Sequence, residues 1–262
     1  MDIGELIQDA LRYPFSDWKK ILILGILILI SNIATAITFI GTFLGLKNVA
    51  VKILIFVIGY IIFGILINGY KFKIIKTSLD GVGELPKFNN WFEIFKNGIK
   101  VYIVVIVYSL PAILIIIFAG LSLLPTLVSL GSNPSSININ TILSLLTAAI
   151  LVCIALLYVL IILPINYMAI AHMANNHNKL RAAFRFHEII DKIGDIGWGN
   201  LLLWYILTGT IYLIITVLGT MITGIFSILN PIIGIVLSSL IITPYLDMYL
   251  NRSIALSYMS KK

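Results

Sequence analysis

The chain has 262 residues, of which 60% are hydrophobic and only 11% are charged. Typical globular proteins carry roughly 25% charged residues, and so little charge does not cover a water-soluble particle; mean hydropathy is +1.07. A soluble protein is excluded. The net charge of +7 sits in short segments between apolar runs, which points to topology signals and anionic headgroups rather than to nucleic acid.

The chain begins Met1-Asp2-Ile3-Gly4-Glu5, without the basic start of a cleaved signal peptide. Ile3, Leu6, Ile7, Ala10 and Leu11 share one helical face, which predicts an amphipathic helix lying on the membrane. Asp2 and Glu5 have capping-box spacing. Pro14 is expected to end the helix, because the residue before a proline avoids the α region.

Charge-free runs then define the spans, since about 20 apolar residues cross roughly 30 Å of hydrocarbon. Six transmembrane helices are expected, near 21–46, 53–70, 101–124, 142–171, 199–222 and 232–250. The polar stretch 131–136 separates the third and fourth, and Gly224 with Asn230-Pro231 marks the last turn. Continuous apolar runs disfavour a β-barrel. The expected fold is an all-α polytopic membrane bundle, with 1–262 a single integral membrane domain. Of the 18 Lys and Arg residues, all but Lys47 and Lys52 fall on one side of this six-span arrangement. Basic residues resist translocation, so both termini are expected in the cytoplasm of a cell-membrane protein.

Leu160-Ile161-Ile162-Leu163-Pro164 matches Leu240-Ile241-Ile242-Thr243-Pro244, and Tyr60-Ile61-Ile62-Phe63-Gly64 is a weaker third copy. Each lies in the second helix of a hairpin, suggesting three units of interfacial helix plus two spans. The competing reading is chance, because Ile and Leu are so common here. The stretches before the hairpins carry Trp18; Phe88, Trp91, Phe92, Phe95 and Ile99; and Arg181, Arg185, Phe186, Ile189 and Ile193. Trp18, Trp91, Phe92, Phe95, Arg181 and Arg185 are expected at the membrane interface. Asn90 and Glu93 repeat the capping-box spacing.

Leu11-Arg12-Tyr13-Pro14-Phe15-Ser16-Asp17-Trp18-Lys19-Lys20 resembles the start of an uncharacterised prokaryotic membrane-protein family, a domain of unknown function frequent in archaea. Glu84-Leu85-Pro86-Lys87-Phe88-Asn89-Asn90-Trp91 and Ala182-Ala183-Phe184-Arg185-Phe186-His187-Glu188-Ile189 are similar to its cytoplasmic segments. The resemblance covers nearly the whole chain. It implies a six-helix multi-pass protein and brings no established activity.

Chemistry is sparse. There is no HExxH, no phosphate-binding lysine loop and no GxSxG. The lone Cys153 excludes an intrachain disulfide and a multi-cysteine metal site. His172, His177 and His187 do not share one helical face, so no metal and no cofactor is expected. Gly41 and Gly45 form a GxxxG near the end of span one, a local packing feature or a dimer seam. Asn68, Asn166 and Asp247 follow Gly64, Pro164 and Pro244 by two to four residues. Packed around an axis, they would form a polar pocket for a cation or polar substrate. The alternative is that Asp247 sits among headgroups beside Arg252 and the asparagines bond neighbouring helices. Two functions survive: a non-enzymatic transporter-like, lipid-handling or scaffold bundle, or a membrane-embedded lipid-modifying enzyme. Only Asp247 lies beside a span, which counts against catalysis. The bilayer itself, through anionic cytoplasmic headgroups, is the expected partner.

Overall fold

Helix α1 (Ile3–Arg12) opens the chain, and a 3-10 turn over Tyr13–Ser16 with Pro14 near its start leads to α2 (Trp18–Ile40). There follow α3 (Val49–Leu79), α4 (Trp91–Ser132), α5 (Ile139–Asn175), α6 (Phe186–Ile196), α7 (Trp198–Leu229) and α8 (Ile232–Met259). The computed structural model describes residues 2–40, 48–132 and 139–260. Among them there is no strand, and α2, α3, α4, α5, α7 and α8 are long and apolar enough to cross a membrane. The chain is an integral membrane helical bundle. The expected GxxxG at Gly41 and Gly45, and most of the 131–136 turn, lie outside the described residues.

The helices overrun the expected spans. Helix α3 continues through Lys71, Lys73 and Lys76 to Leu79. Backbone hydrogen bonding continues past the apolar layer, whereas the first charge had marked the expected end. Gly224 is helical, and the last turn is made at Asn230, whose side chain accepts the Ile232 amide and caps α8.

Met1–Tyr102 together with Met168–Lys262 form one compact unit, and Ile103–Tyr167 form another. In the first, Tyr13, Ile21, Leu24, Ile67, Tyr70, Ile94 and Met248 belong to one core at the end that carries the basic segments. Helix α1 packs on α8 and buries Leu6, Ile7 and Ala10. Its apolar face is thus turned to protein rather than laid on lipid. Asp2 occupies the cap position, but its side chain makes no capping bond.

The loop between α3 and α4 leaves carbonyls without helical partners, and long side chains supply them. Tyr13 donates to Glu84 O, Lys20 to Leu85 O (2.6 Å), Tyr70 to Pro86 O (2.9 Å), Lys73 to Lys87 O (2.8 Å) and Arg252 to Val82 O (2.9 Å). Several basic residues read as headgroup contacts therefore serve loop backbone. Phe88 stacks on Tyr70 with centroids 3.7 Å apart.

The stretch expected to be a separate interfacial helix near 88–99 is instead the start of the 42-residue α4. Asn90 sits before it at φ 55°, outside the extended geometry of a capping-box residue. Two glycines clamp this segment to α3: a Cβ on Gly69 would lie 1.9 Å from Ile94 O, and one on Gly98 2.0 Å from Ile65 O. Ile-x-x-x-Gly thus occurs on both helices, each glycine receiving the other helix's isoleucine.

The first and third hairpins repeat with residue n of one matching n + 180 of the other. Trp18 and Trp198 begin α2 and α7, Phe63 and Thr243 resume α-helix after a π turn, and Leu79 and Met259 end α3 and α8. The π turns cover Val57–Ile62 and Ser238–Ile242, the places where the short sequence matches fall. Both pack against α2, Gly59 meeting Ala34 and Leu240 meeting Gly25. Chance does not place element boundaries in register, so the repeat holds for these two hairpins. Trp91 likewise begins α4, but α5 runs through Pro164 without a π turn.

In the unit Ile103–Tyr167, Ala112, Ala119 and Thr126 on α4 and Thr141, Ala148 and Ala155 on α5 are buried. Both sets recur every seven residues, and small residues at that spacing let membrane helices pack closely. Tyr158 donates to Tyr108 O at 3.0 Å, and the Thr126 and Ser144 hydroxyls are hydrogen-bonded.

Candidate functional site

Helices α2, α7 and α8 enclose a cavity of about 750 Å³ lined by Asn32, Thr223, Ser227, Ser238 and Ser239 among aliphatic side chains. The α2 backbone places Asn32 about 21 Å along the axis from Trp18, inside a layer roughly 30 Å thick. The π turn presents Ser238 and Ser239 together. Asn32 Nδ2 donates to Ser239 Oγ at 2.9 Å. Thr223 and Ser227 spend their hydroxyls on carbonyls of their own helix. Asn32 Oδ1 and the Ser238 hydroxyl make no hydrogen bond among the described residues. Ile33, Ile232 and Ile235 on the rim are exposed, so the cavity opens sideways. Its chemistry is uncharged hydrogen bonding in an apolar layer. The signal in the sequence is an amide and a serine pair inside two charge-free runs, uncharged and away from the span edges where Asn68, Asn166 and Asp247 stand out.

A second cavity of about 650 Å³ shares Thr223 and is otherwise apolar, running from Phe15, Trp18 and Tyr245 to Phe226 and Ile233. Tyr245 closes one end by donating to Leu11 O at 3.0 Å.

The polar residues expected to converge have separate roles. Asp247 is buried and pairs with Lys71 at 2.7 Å, not with Arg252, which binds Asp9 at 2.7 Å. Asn68 donates to Gly64 O in its own helix at 2.9 Å and also hydrogen-bonds Tyr102 on α4, so it ties neighbouring helices as the alternative expected. Asn166 belongs to the other unit, where its Oδ1 is buried without a hydrogen-bond partner. Of the expected interface residues, Trp18, Trp91, Phe92, Arg181 and Arg185 are exposed and Phe95 is half-buried.

Residues 52–224, more than half of the chain, match the family described as "Protein of unknown function (DUF4013)". The chain belongs to the DUF4013 family. Comparison with curated proteins and with solved structures gives no match.

In this DUF4013 protein the histidines do not gather. His187 lies beside Asp191 at 3.5 Å, while His172 joins α5, α6 and the end of α8. His172 Nδ1 and the Tyr258 hydroxyl are hydrogen-bonded at 2.8 Å, and His172 Nε2 donates to Glu188 at 3.1 Å, because a carboxylate only accepts. That bond, with Arg185 beside it, holds the Glu188 carboxyl below its usual range. The order hydroxyl, imidazole, carboxylate is that of a proton relay, but Tyr258 is buried and none of the three lines either cavity. The network ties helices together. Among the described residues no group of three or more His, Cys, Asp and Glu is placed to hold a metal ion.

The Lys71–Asp247 pair is asymmetric, since the lysine side chain is 25% exposed and the aspartate 11%. Lys71→Met strands a buried carboxylate and is expected to cost about 3 kcal/mol, whereas Asp247→Asn leaves an ammonium that reaches solvent and costs about 1 kcal/mol. Unfolding of both variants in mild detergent checks this; equal losses would contradict the asymmetry.

Proposed function

We propose that the protein is a non-enzymatic lipid-handling protein of the cell membrane, of the archaeal type its sequence resembles. Its termini are cytoplasmic, and the exposed aromatic side of α4's first turns faces headgroups. The amphipathic molecule enters sideways and places an uncharged hydroxyl or ester in the cavity between α2, α7 and α8. The observation that carries this reading is the pair of unpartnered polar atoms, Asn32 Oδ1 and the Ser238 hydroxyl, within the apolar layer. A polar group without a partner there costs several kcal/mol, and a bound ester or hydroxyl removes that cost. The adjoining apolar cavity suits the chain of the same kind of molecule.

Lipids retained through gentle purification and identified by mass spectrometry test this. Wild type is expected to retain one lipid class that Asn32→Leu combined with Ser238→Ala loses while still folding. Identical lipid profiles would refute it. The repeated hairpins and their two π turns favour transport as a second reading, because transporters place broken helices of repeated halves around a mid-membrane site. A retained water-soluble molecule in place of a lipid would select it. For orientation, reporter fusions at residue 260 and within 131–140 should report opposite sides; the same side for both would defeat the six-span topology.

A further inference from the structure

We infer that the protein has a second binding site, at the basic end of α3 and α4, for a zwitterion that joins a phosphate to an amine. A cavity of about 230 Å³ there is lined by Lys73, Lys76, Thr77, Asp80, Asn90, Glu93, Ile94 and Asn97. It is smaller than the roughly 300–1,000 Å³ of pockets for drug-sized ligands, so it suits a headgroup and not a nucleotide. The Ile65–Gly69 and Ile94–Gly98 clamp sets its floor, since Asn97 adjoins one glycine and Lys73 follows the other by one turn.

Asn97 is only 6% exposed, faces the cavity, and makes no hydrogen bond among the described residues. Its amide opens onto the cavity rather than into packed protein, so a ligand oxygen is the natural partner for its donor. Lys73 is held by the carbonyls of Lys87 and Asn89. Lys76 makes no ion pair among the described residues, and neither does Asp80, one turn on from it at the end of α3, nor Glu93 on α4, whose charge acts on Lys73 and Lys100. The lining carries two ammonium groups and two carboxylates, so a ligand that bears both signs finds a partner for each. A phosphate held by Lys76 and Asn97, with its amine at Asp80 and Glu93, satisfies both signs. Exposed Trp91 and Phe92, the latter 81% exposed, open the same helix and place the cavity at headgroup depth. The ligand is thus an aminoalkyl phosphate, carried by a lipid or free in solution.

Calorimetric titration of the full-length protein in neutral detergent tests this. The probes are O-phosphoethanolamine and a short-chain phosphatidylethanolamine, against inorganic phosphate, β-alanine and short-chain phosphatidylglycerol. At least one amine-bearing phosphate is expected to bind at least tenfold more tightly than any control. Binding of both probes assigns a free or a lipid-borne ligand, and binding of the lipid alone assigns the headgroup. Lys76→Gln and Asp80→Asn, both outside the core, should each weaken binding at least tenfold with thermal unfolding unchanged. Equal binding of phosphatidylglycerol, no effect of Asp80→Asn in the folded protein, or no binding of either probe would overturn the assignment.

Discussion

Gly69→Ala and Gly98→Ala should each destabilise the protein by about 1–3 kcal/mol, although alanine is intrinsically about 1 kcal/mol better in a helix. The new methyl groups would lie 1.9 Å from Ile94 O and 2.0 Å from Ile65 O. Those atoms are backbone, so a rotamer change gives no relief and the helices must separate. Separation also removes contacts along both helices, and dispersion is the main attraction between helices in lipid. Gly120→Ala on α4 is the control, because nothing lies within 4 Å of its added Cβ; it should be neutral or stabilising by up to about 1 kcal/mol. Thermal unfolding of the three variants in one detergent measures the difference. If Gly69→Ala and Gly120→Ala behave alike, close approach of α3 and α4 does not hold this end of the bundle together.

Arg252→Met should cost roughly 3 kcal/mol and release the first helix. The Arg252 side chain is 7% exposed, against 44% for its partner Asp9. Its guanidinium makes two bonds to Asp9, at 2.7 and 3.2 Å, one to Val82 O at 2.9 Å, and lies 4.8 Å from the centre of the Tyr13 ring. Methionine keeps the stem's volume but abandons all four interactions and leaves a loop carbonyl unsatisfied. Asp9→Asn retains the carbonyl and the ring for the cation, so it should cost clearly less, about 1–2 kcal/mol. Proteolysis within residues 2–17 reads the release directly. Cleavage should accelerate in Arg252→Met at temperatures where α4 and α5 remain helical. Uniform protection would show that burial of Leu6, Ile7 and Ala10 alone holds α1.

The sequence by itself determined the number of membrane-crossing helices, the all-α class and the partition of charge. These follow from transfer free energies summed along the chain, which are local: a run of Ile and Leu enters lipid whatever it later touches. The short matches at 60–64 and 240–244 also marked the two π turns, because a backbone irregularity is carried by its own residues. Partner choice was not legible. Asp247 had Arg252 five residues away as the obvious mate, yet tertiary packing gave it Lys71 and gave Arg252 to Asp9. The basic segments as a whole read as headgroup contacts, but Lys20, Lys73 and Lys100 each donate to a backbone carbonyl, Lys100 to Asn178 O at 2.7 Å. Helix faces were equally silent, since lipid tails are as apolar as leucine and the hydrophobic pattern does not separate a lipid-facing side from a packed one. The cavity at Asn32 and Ser238 therefore required the fold. Its two polar segments are about two hundred residues apart in sequence and meet because the Ser238–Ile242 π turn closes on α2.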